Sequence, residues 1–287
     1  MRGLRALIRG AAGMLALAMG APVWADVVVL GPVKDNTIWE DATGMTANGA
    51  GQHLFCGRSG IRGGPPRIRR ALIQFDVAGA IPAGSTITAV TVTLNMSKSI
   101  AFAQTCTLSR INRDWGEGAS DALAEEGDGA QAVPPDATWL HAMYDTAFWP
   151  GPGGDFTAAP SASVPVNGVA FYTWGPADGL TADVQAWLDD PASNHGWVLR
   201  GNELGLSTST RWDSREHAEP GRRPTLRIEY SAPCEVDYTA DGLIDFSDYL
   251  EFLVAYDGSS PTADLDKDGD VDLLDYVRFL DLYERGC

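Results

Sequence analysis

The chain has 287 residues, and its 38 Asp and Glu outnumber 21 Lys and Arg, for a formal net charge of −17. That excess of acid argues against a nucleic-acid partner, whose phosphates need Lys and Arg opposite them. The length is ample for one sizeable core and a second, smaller unit.

Arg2, Arg5 and Arg9 precede an apolar stretch from Ala11 to Met19 that ends at Val23-Trp24-Ala25. This is the pattern of a cleaved secretory signal, expected to cover residues 1–25. The run falls short of the roughly 20 apolar residues a membrane span needs, and Gly20 and Pro22 interrupt it. No later segment is apolar enough to cross a bilayer, so the expected mature protein is soluble, secreted, and extracellular or associated with the cell surface. Without residues 1–25, which hold three Arg and no acid, the charge becomes −20. It is uneven: residues 234–287 carry 15 acids against 3 bases, residues 26–233 carry 23 against 15. Such asymmetry suggests two units, joined at Ser231-Ala232-Pro233, with domains 26–231 and 232–287. Of the four cysteines, Cys56 and Cys106 lie in the larger unit, while Cys234 and Cys287 bracket the acidic one. An oxidising compartment favours disulfides, and pairing within each unit is the simplest of three connectivities. Free buried thiols are the alternative.

From residue 26 the chain reads as strands and turns. Val27–Leu30 and residues 71–75 are short apolar runs. Val90, Val92, Leu94 and Met96 alternate with Thr91, Thr93 and Asn95, the period of a half-buried strand. Pro82-Ala83-Gly84-Ser85 before them is turn chemistry. Further strands are expected at 105–111, 169–174, 196–200 and 225–230. Val184, Trp187 and Leu188 fall at helical spacing, closed by Pro191. The fold class that follows is mostly β, a sandwich or jelly roll. Residues 118–165 are polar, rich in Gly and Pro, and carry Trp139, His141, Tyr144, Phe148 and Trp149. So aromatic a loop is either packed over the sandwich or functional.

Beyond residue 233 a repeat appears, offset by 27 residues. Asp237, Thr239, Asp241, Gly242, Asp245 and Asp248 align with Asp264, Asp266, Asp268, Gly269, Asp272 and Asp275. These are positions 1, 3, 5, 6, 9 and 12 of an EF-hand loop, which supplies oxygens around Ca2+ and needs Gly at the sharp turn. Position 7 offers a backbone carbonyl, from Leu243 and Asp270. Ile244 and Val271 at position 8 should pair the loops. Each loop runs into a helix, with apolar stripes expected at Phe246, Tyr249, Leu250, Leu253 and Val254, and at Leu273, Tyr276, Val277 and Leu280. Carboxylates clustered at this spacing repel one another and call for a cation. Thr239 puts a hydroxyl where its repeat has a carboxylate, so the first site should be the weaker.

This segment resembles a type I dockerin, which has two loop–helix units and ends each loop in Asp. The resemblance implies a small all-α calcium-binding module that docks onto a cohesin-like surface protein, using helix residues that include loop positions 10 and 11. Those positions, often Ser/Thr or Lys/Arg pairs in the family, are Phe246-Ser247 and Leu273-Leu274 here.

The larger unit holds, in order, Arg70–Asp76, Ile81–Ile87, Asp114-Trp115-Gly116-Glu117-Gly118, Ala182–Trp187, Gly196–Arg200, Asp213-Ser214-Arg215-Glu216 and Arg223–Leu226. This series resembles the DNRLRE, or disaggregatase-related, domains. Those are secreted β-sandwich modules, some of which bind acidic polysaccharides such as alginate. The resemblance implies a jelly-roll-like sandwich that binds extracellular polysaccharide. Trp139, Tyr144, Trp149 and Trp212 sit in loop-like sequence and are candidates for stacking on sugar rings. Arg67 and Arg69, with Arg62 and Arg70 beside them, are candidates for pairing with an acidic glycan. Trp115, Trp187 and Trp197 read as core. The alternating charges of Asp213–Glu216 suit an ion-pair network. Asp114 and Glu117 form a carboxylate pair that suits glycoside hydrolysis if about 5–9 Å apart, although nothing else completes such a site. The four histidines, His53, His141, His195 and His217, show no metal-binding spacing.

The expectation is a non-catalytic, secreted polysaccharide-binding protein with Ca2+ as cofactor and a calcium-dependent docking module. A structural or adhesion protein without glycan binding, and a polysaccharide-degrading enzyme, are the alternatives.

Overall fold

The computed structural model describes residues 25–61 and 65–286. The segment expected to be a secretory signal lies outside them apart from Ala25, as do Arg62 and Cys287. The described chain divides into two compact units, Ala25–Pro233 and the segment from Cys234 onward.

The first unit is built of strands β1 (Asp26–Leu30), β2 (Pro32–Trp39), β3 (Thr46–Ala47), β4 (His53–Arg58), β5 (Ile68–Phe75), β6 (Thr86–Ser99), β7 (Gln104–Arg110) and β8 (Ala130–Gln131). They are followed by β9 (His141–Met143), β10 (Ala147–Phe148), β11 (Ala162–Val166), β12 (Ala170–Trp174), β13 (Trp197–Arg200), β14 (Thr210–Asp213) and β15 (Thr225–Ser231). The pairs β3–β8 and β9–β10 are small separate ribbons, and the other eleven strands form one curled antiparallel sheet. One half runs β1-β15-β6-β14-β4, with β12 on the far edge of β6, so Val92 faces both Leu226 and Trp174. The other runs β4-β5-β13-β7-β11, with β2 on the far edge of β5. Strand β4 belongs to both. Residues 53–56 pair with β14, then Gly57 and Arg58 pair with β5. Gly57 makes that handover at φ +91°, where a Cβ would lie 2.5 Å from the Thr208 carbonyl oxygen. A strand that changes sheets at a corner needs such a residue.

The two halves share one core. Val90, Val92, Leu94 and Met96 of β6 are buried on one face, as their alternation predicts, and Ile87 is buried beyond a shift of register. Trp174, Trp197 and Trp212 join them, together with Leu180, Val184, Trp187 and Leu188 of helix α1 (Asp178–Asp189). The indoles of Trp187 and Trp197 lie 4.5 Å apart between centroids. The half that contains β5 is buried on its other face too. Ile38, Leu72 and Val198 pack there against Trp115, Trp139 and Trp149. This explains why Ala71-Leu72-Ile73 is apolar without alternation. It also shows that the aromatics of residues 118–165 serve mainly to seat that long segment on the sheet.

Cys56 and Cys106 are free, buried thiols, which corrects the disulfide expected between them. Cys106 comes from β7 and Cys56 from β4, and the Cys56 sulfur lies 3.2 Å from the Thr210 hydroxyl. A hydroxyl thus partners the Cys56 sulfur without an S–S bond. Cys234 is disulfide-bonded; its expected partner, Cys287, lies outside the described residues.

The second unit consists of two loops that lead into helices α2 (Phe246–Asp257) and α3 (Leu273–Arg285). Its core is Val236, Phe252, Ala263, Leu265 and Phe279. Residues related by the repeat touch each other. The Phe252 and Phe279 rings stack at 3.9 Å, 5° from parallel, and the Tyr249 and Tyr276 hydroxyls are 3.1 Å apart. The two loop–helix units therefore pack around a local two-fold axis.

Candidate functional site

Both acidic loops fold alike at positions 1, 5, 9 and 12. At position 1, Asp237 accepts from the Gly242 amide (2.9 Å) and Asp264 from the Gly269 amide (3.0 Å). The two glycines sit at φ +81° and +98°, with open space where a Cβ would be, so backbone freedom and not room selects them. At position 5, Asp241 and Asp268 accept from the amides of Leu243 and Asp270 at position 7. At position 9, Asp245 and Asp272 cap the helices, and Asp248 and Asp275 at position 12 complete capping boxes. Each position-12 carboxylate also reaches across its loop. Asp248 accepts from the Thr239 amide and hydroxyl, both at 2.9 Å, and Asp275 from the amides of Leu265 and Asp266. Burial works against the charge of Asp248, but amide donors hold its carboxyl below the usual range; the Asp272 amide leads the same effect at Asp275.

The loops differ at position 3. Oxygens of Asp264, Asp266 and Asp268 lie within 4.8 Å of one another. Desolvation, together with neighbouring Asp268, Asp275 and Asp264, raises the Asp266 carboxyl. One Asp264 oxygen, Oδ1, is buried with no hydrogen-bond partner. An orphaned carboxylate oxygen inside a ring of acids fits a hard divalent cation. In the first loop the Thr239 hydroxyl is turned onto Asp248 instead.

The helices correct the expected stripes. Tyr249 and Tyr276 do face the core, beside Phe252 and Phe279 and with Ile244 and Val271 packed on it. Phe246, Leu250, Val254, Leu273, Leu274 and Val277 point outward and are 47–69 % exposed. Each helix has two apolar faces, and the aromatic one fills the small core because rings bury more area per residue. The other, mostly aliphatic, remains on the surface, including Phe246 at loop position 10 of the first repeat and Leu273-Leu274 at positions 10 and 11 of the second.

In the first unit the sugar-stacking candidates fare unevenly. Trp139 and Trp149 are buried under the long segment, with the Trp149 indole N–H donating to the Thr138 carbonyl (2.8 Å). Trp212 is a fully buried residue of β14, not a loop residue. None of these three presents a free ring face, whereas Tyr144 is half-buried and neighbouring Phe148 is 64 % exposed. Arg67 and Arg69 do line a common open cleft of about 520 Å³ with Glu40, Asp41, Pro65 and Asp128. Arg69 also borders an adjoining hollow with Lys98 and Arg211. Burial, and then nearby Arg67, push the Arg69 guanidinium down to about 10, and its Nε is buried without a partner. Arg70 is committed elsewhere, clamped on Glu203 at 2.7 Å and lying over the Trp139 ring.

Asp114 pairs with Lys34 (2.8 Å), and Glu117 with Arg215 (2.6 Å). Arg215 also meets Glu216 at 2.8 Å, and its amide donates to buried Asp35. The Asp213–Glu216 stretch thus does form an ion-pair network, tied to β2 through Asp35. Sequence spacing leaves His53, Glu126 and His217 unconnected. The register of β4 on β14 sets His53 opposite Asp213, and His217 follows Asp213 by four residues. That four-residue interval is the one local signal of the cluster.

Comparison of the chain with known protein families, and with curated proteins, finds no match in either.

Proposed function

We propose that the chain is an exported, non-catalytic polysaccharide-binding protein, a jelly-roll-like sandwich of the DNRLRE type carrying a dockerin-like module that docks it in a calcium-dependent way. The carrying observation is the duplicated loop, in which donors and acids occupy equivalent places twice and Asp264 Oδ1 has no partner. In each loop the residues at positions 1, 3, 5, 7, 9 and 12 would hold Ca2+, which supplies the central charge those carboxylates surround. The outward aliphatic face of α2 and α3 supports a protein partner, cohesin-like or other, because soluble proteins rarely leave such a patch uncovered. The cleft of Arg67 and Arg69 supports an acidic glycan, whose carboxylates match guanidinium forks.

Calorimetry of the full chain with Ca2+ tests the first part. Two sites of unequal affinity are expected, the tighter lost in Asp264→Ala and the weaker in Asp237→Ala; no calcium heat overturns it. Retardation in gels containing alginate or a neutral glucan tests the second, with Arg67→Ala and Arg69→Ala expected to abolish retardation by alginate. The burial of Trp139, Trp149 and Trp212 favours one other reading, a structural or adhesion spacer, which predicts no retardation in either gel.

A further inference from the structure

We propose that His53, Asp213 and His217 form a binding site for one divalent metal ion of the zinc class, separate in place and chemistry from the acidic loops. The three come from β4, from the end of β14 and from the turn after it. Their ligand atoms lie within 4.8 Å of one another. Both imidazoles aim Nε2 at the same carboxylate, His53 at Asp213 Oδ1 and His217 at Asp213 Oδ2, each at 3.8 Å. That gap is too long for a hydrogen bond. Zinc–ligand bonds of roughly 2.0–2.2 Å separate tetrahedral ligands by roughly 3.3–3.6 Å, so a small contraction closes the site.

A second observation points into the same space. Asp213 has no solvent exposure, and its Oδ1 is buried without a hydrogen-bond partner. A buried carboxylate oxygen left open costs stability unless something completes it. Asp213 is held by a hydrogen bond, and an acid stands behind His53, as outer partners stand behind the ligands of a metal site. Glu126 Oε1 lies 3.2 Å from His53 Nδ1, and its carboxylate is itself fixed by the amides of Gln52 and His53 and by the Asn48 side chain. His53 Nδ1 makes no hydrogen bond, and a metal on Nε2 would set the ring proton on Nδ1, facing that carboxylate. Asn95 donates to Asp213 Oδ2 at 2.6 Å. The Glu219 amide donates to His217 Nδ1 at 3.1 Å, and the Glu219 carbonyl lies 3.4 Å from the same nitrogen; a metal on Nε2 would move the ring proton to Nδ1 and exchange the amide contact for the carbonyl one. Two imidazoles and one carboxylate select a borderline ion such as Zn2+ over Ca2+, and leave a fourth position for water.

The test uses the full chain, stripped with chelator and then held in excess Ca2+ so that the acidic loops are occupied. Titration with Zn2+ is expected to show one ion per chain. Co2+ in its place should give a visible ligand-field band. His53→Gln and His217→Gln are expected to weaken Zn2+ at least about 100-fold, and Glu126→Gln by roughly 10–100-fold. All three should keep the wild-type calcium isotherm and the chelator-treated melting curve, so that lost binding is not lost folding. Asp264→Ala should leave Zn2+ unchanged. Absence of both zinc heat and cobalt band in the wild-type chain overturns the proposal, with the histidines then serving only to pack around Asp213. Zinc binding unaltered in His217→Gln overturns it equally.

Discussion

Thr239 and Asp266 stand at the same place in two copies of one loop, and the difference between them is a single carboxylate. The Asp266 carboxylate shares its space with Asp264 and Asp268, whereas the Thr239 hydroxyl is bonded to Asp248. Thr239→Asp should release Asp248 and add a charged oxygen, tightening the first site roughly tenfold, about 1.4 kcal/mol, as read by calcium calorimetry. The repeated acids of these loops are legible in sequence because twelve consecutive residues hold them. Asp35 was not legible, as it lies mid-strand in a run whose neighbours are polar. Burial, and then Glu216, push its carboxyl well above the ordinary aspartate value near 3.8. The native state therefore favours protonated Asp35, and the cost of the charge grows as pH rises from that ordinary value to the raised one. Asp35→Asn can still accept the Arg215 amide. It should resist urea better than the parent at pH 7, with the advantage fading as pH falls toward 4. An unchanged difference across that range would refute the assignment.

At the scale of elements, legibility followed the pattern of burial. Strand β6 alternates cleanly, and α1 shows its apolar spacing, because each buries one face. Strands β2 and β14 have no apolar period because they bury Asp35, Asn36, Thr37, Thr210 and Asp213, and β4 has none because it buries four consecutive residues, Leu54 to Gly57. Those strands also carry His53 and Asp213, brought together by a pairing between residues far apart in the chain. The helices α2 and α3 were found by spacing, but spacing alone could not say which of two apolar faces turned inward. The outward face makes its own prediction. Val254→Asp combined with Val277→Asp should abolish calcium-dependent capture of a partner from the native secretome while leaving calcium affinity within about twofold. Phe252, by contrast, holds the two helices together through its stack on Phe279. Phe252→Ala should cost about 3–5 kcal/mol, seen as loss of the helical circular-dichroism signal of this unit on mild heating.

For the molecule as a whole, the division of charge anticipated the division of structure. The acid-rich segment became the loop–helix unit, and the long remainder became the sheet. The curl of that sheet could not be read from local sequence, since it depends on β4 serving both halves and on β1 joining β15. The pairing of the first strand with the last imposes an order in time. Asp26–Leu30 have Leu226–Tyr230 as their partners, and Thr86–Thr93 of β6 lean on the same strand from its other edge. Until residue 231 has been synthesised, both wait as bare edges, open to pairing between chains. A chain ending after Arg223 should accordingly aggregate when expressed, whereas one ending after Pro233 should stay monomeric on gel filtration. Assembly of the sheet is thus held back to its final strand, so the late arrival of β15 sets when folding of this unit can finish.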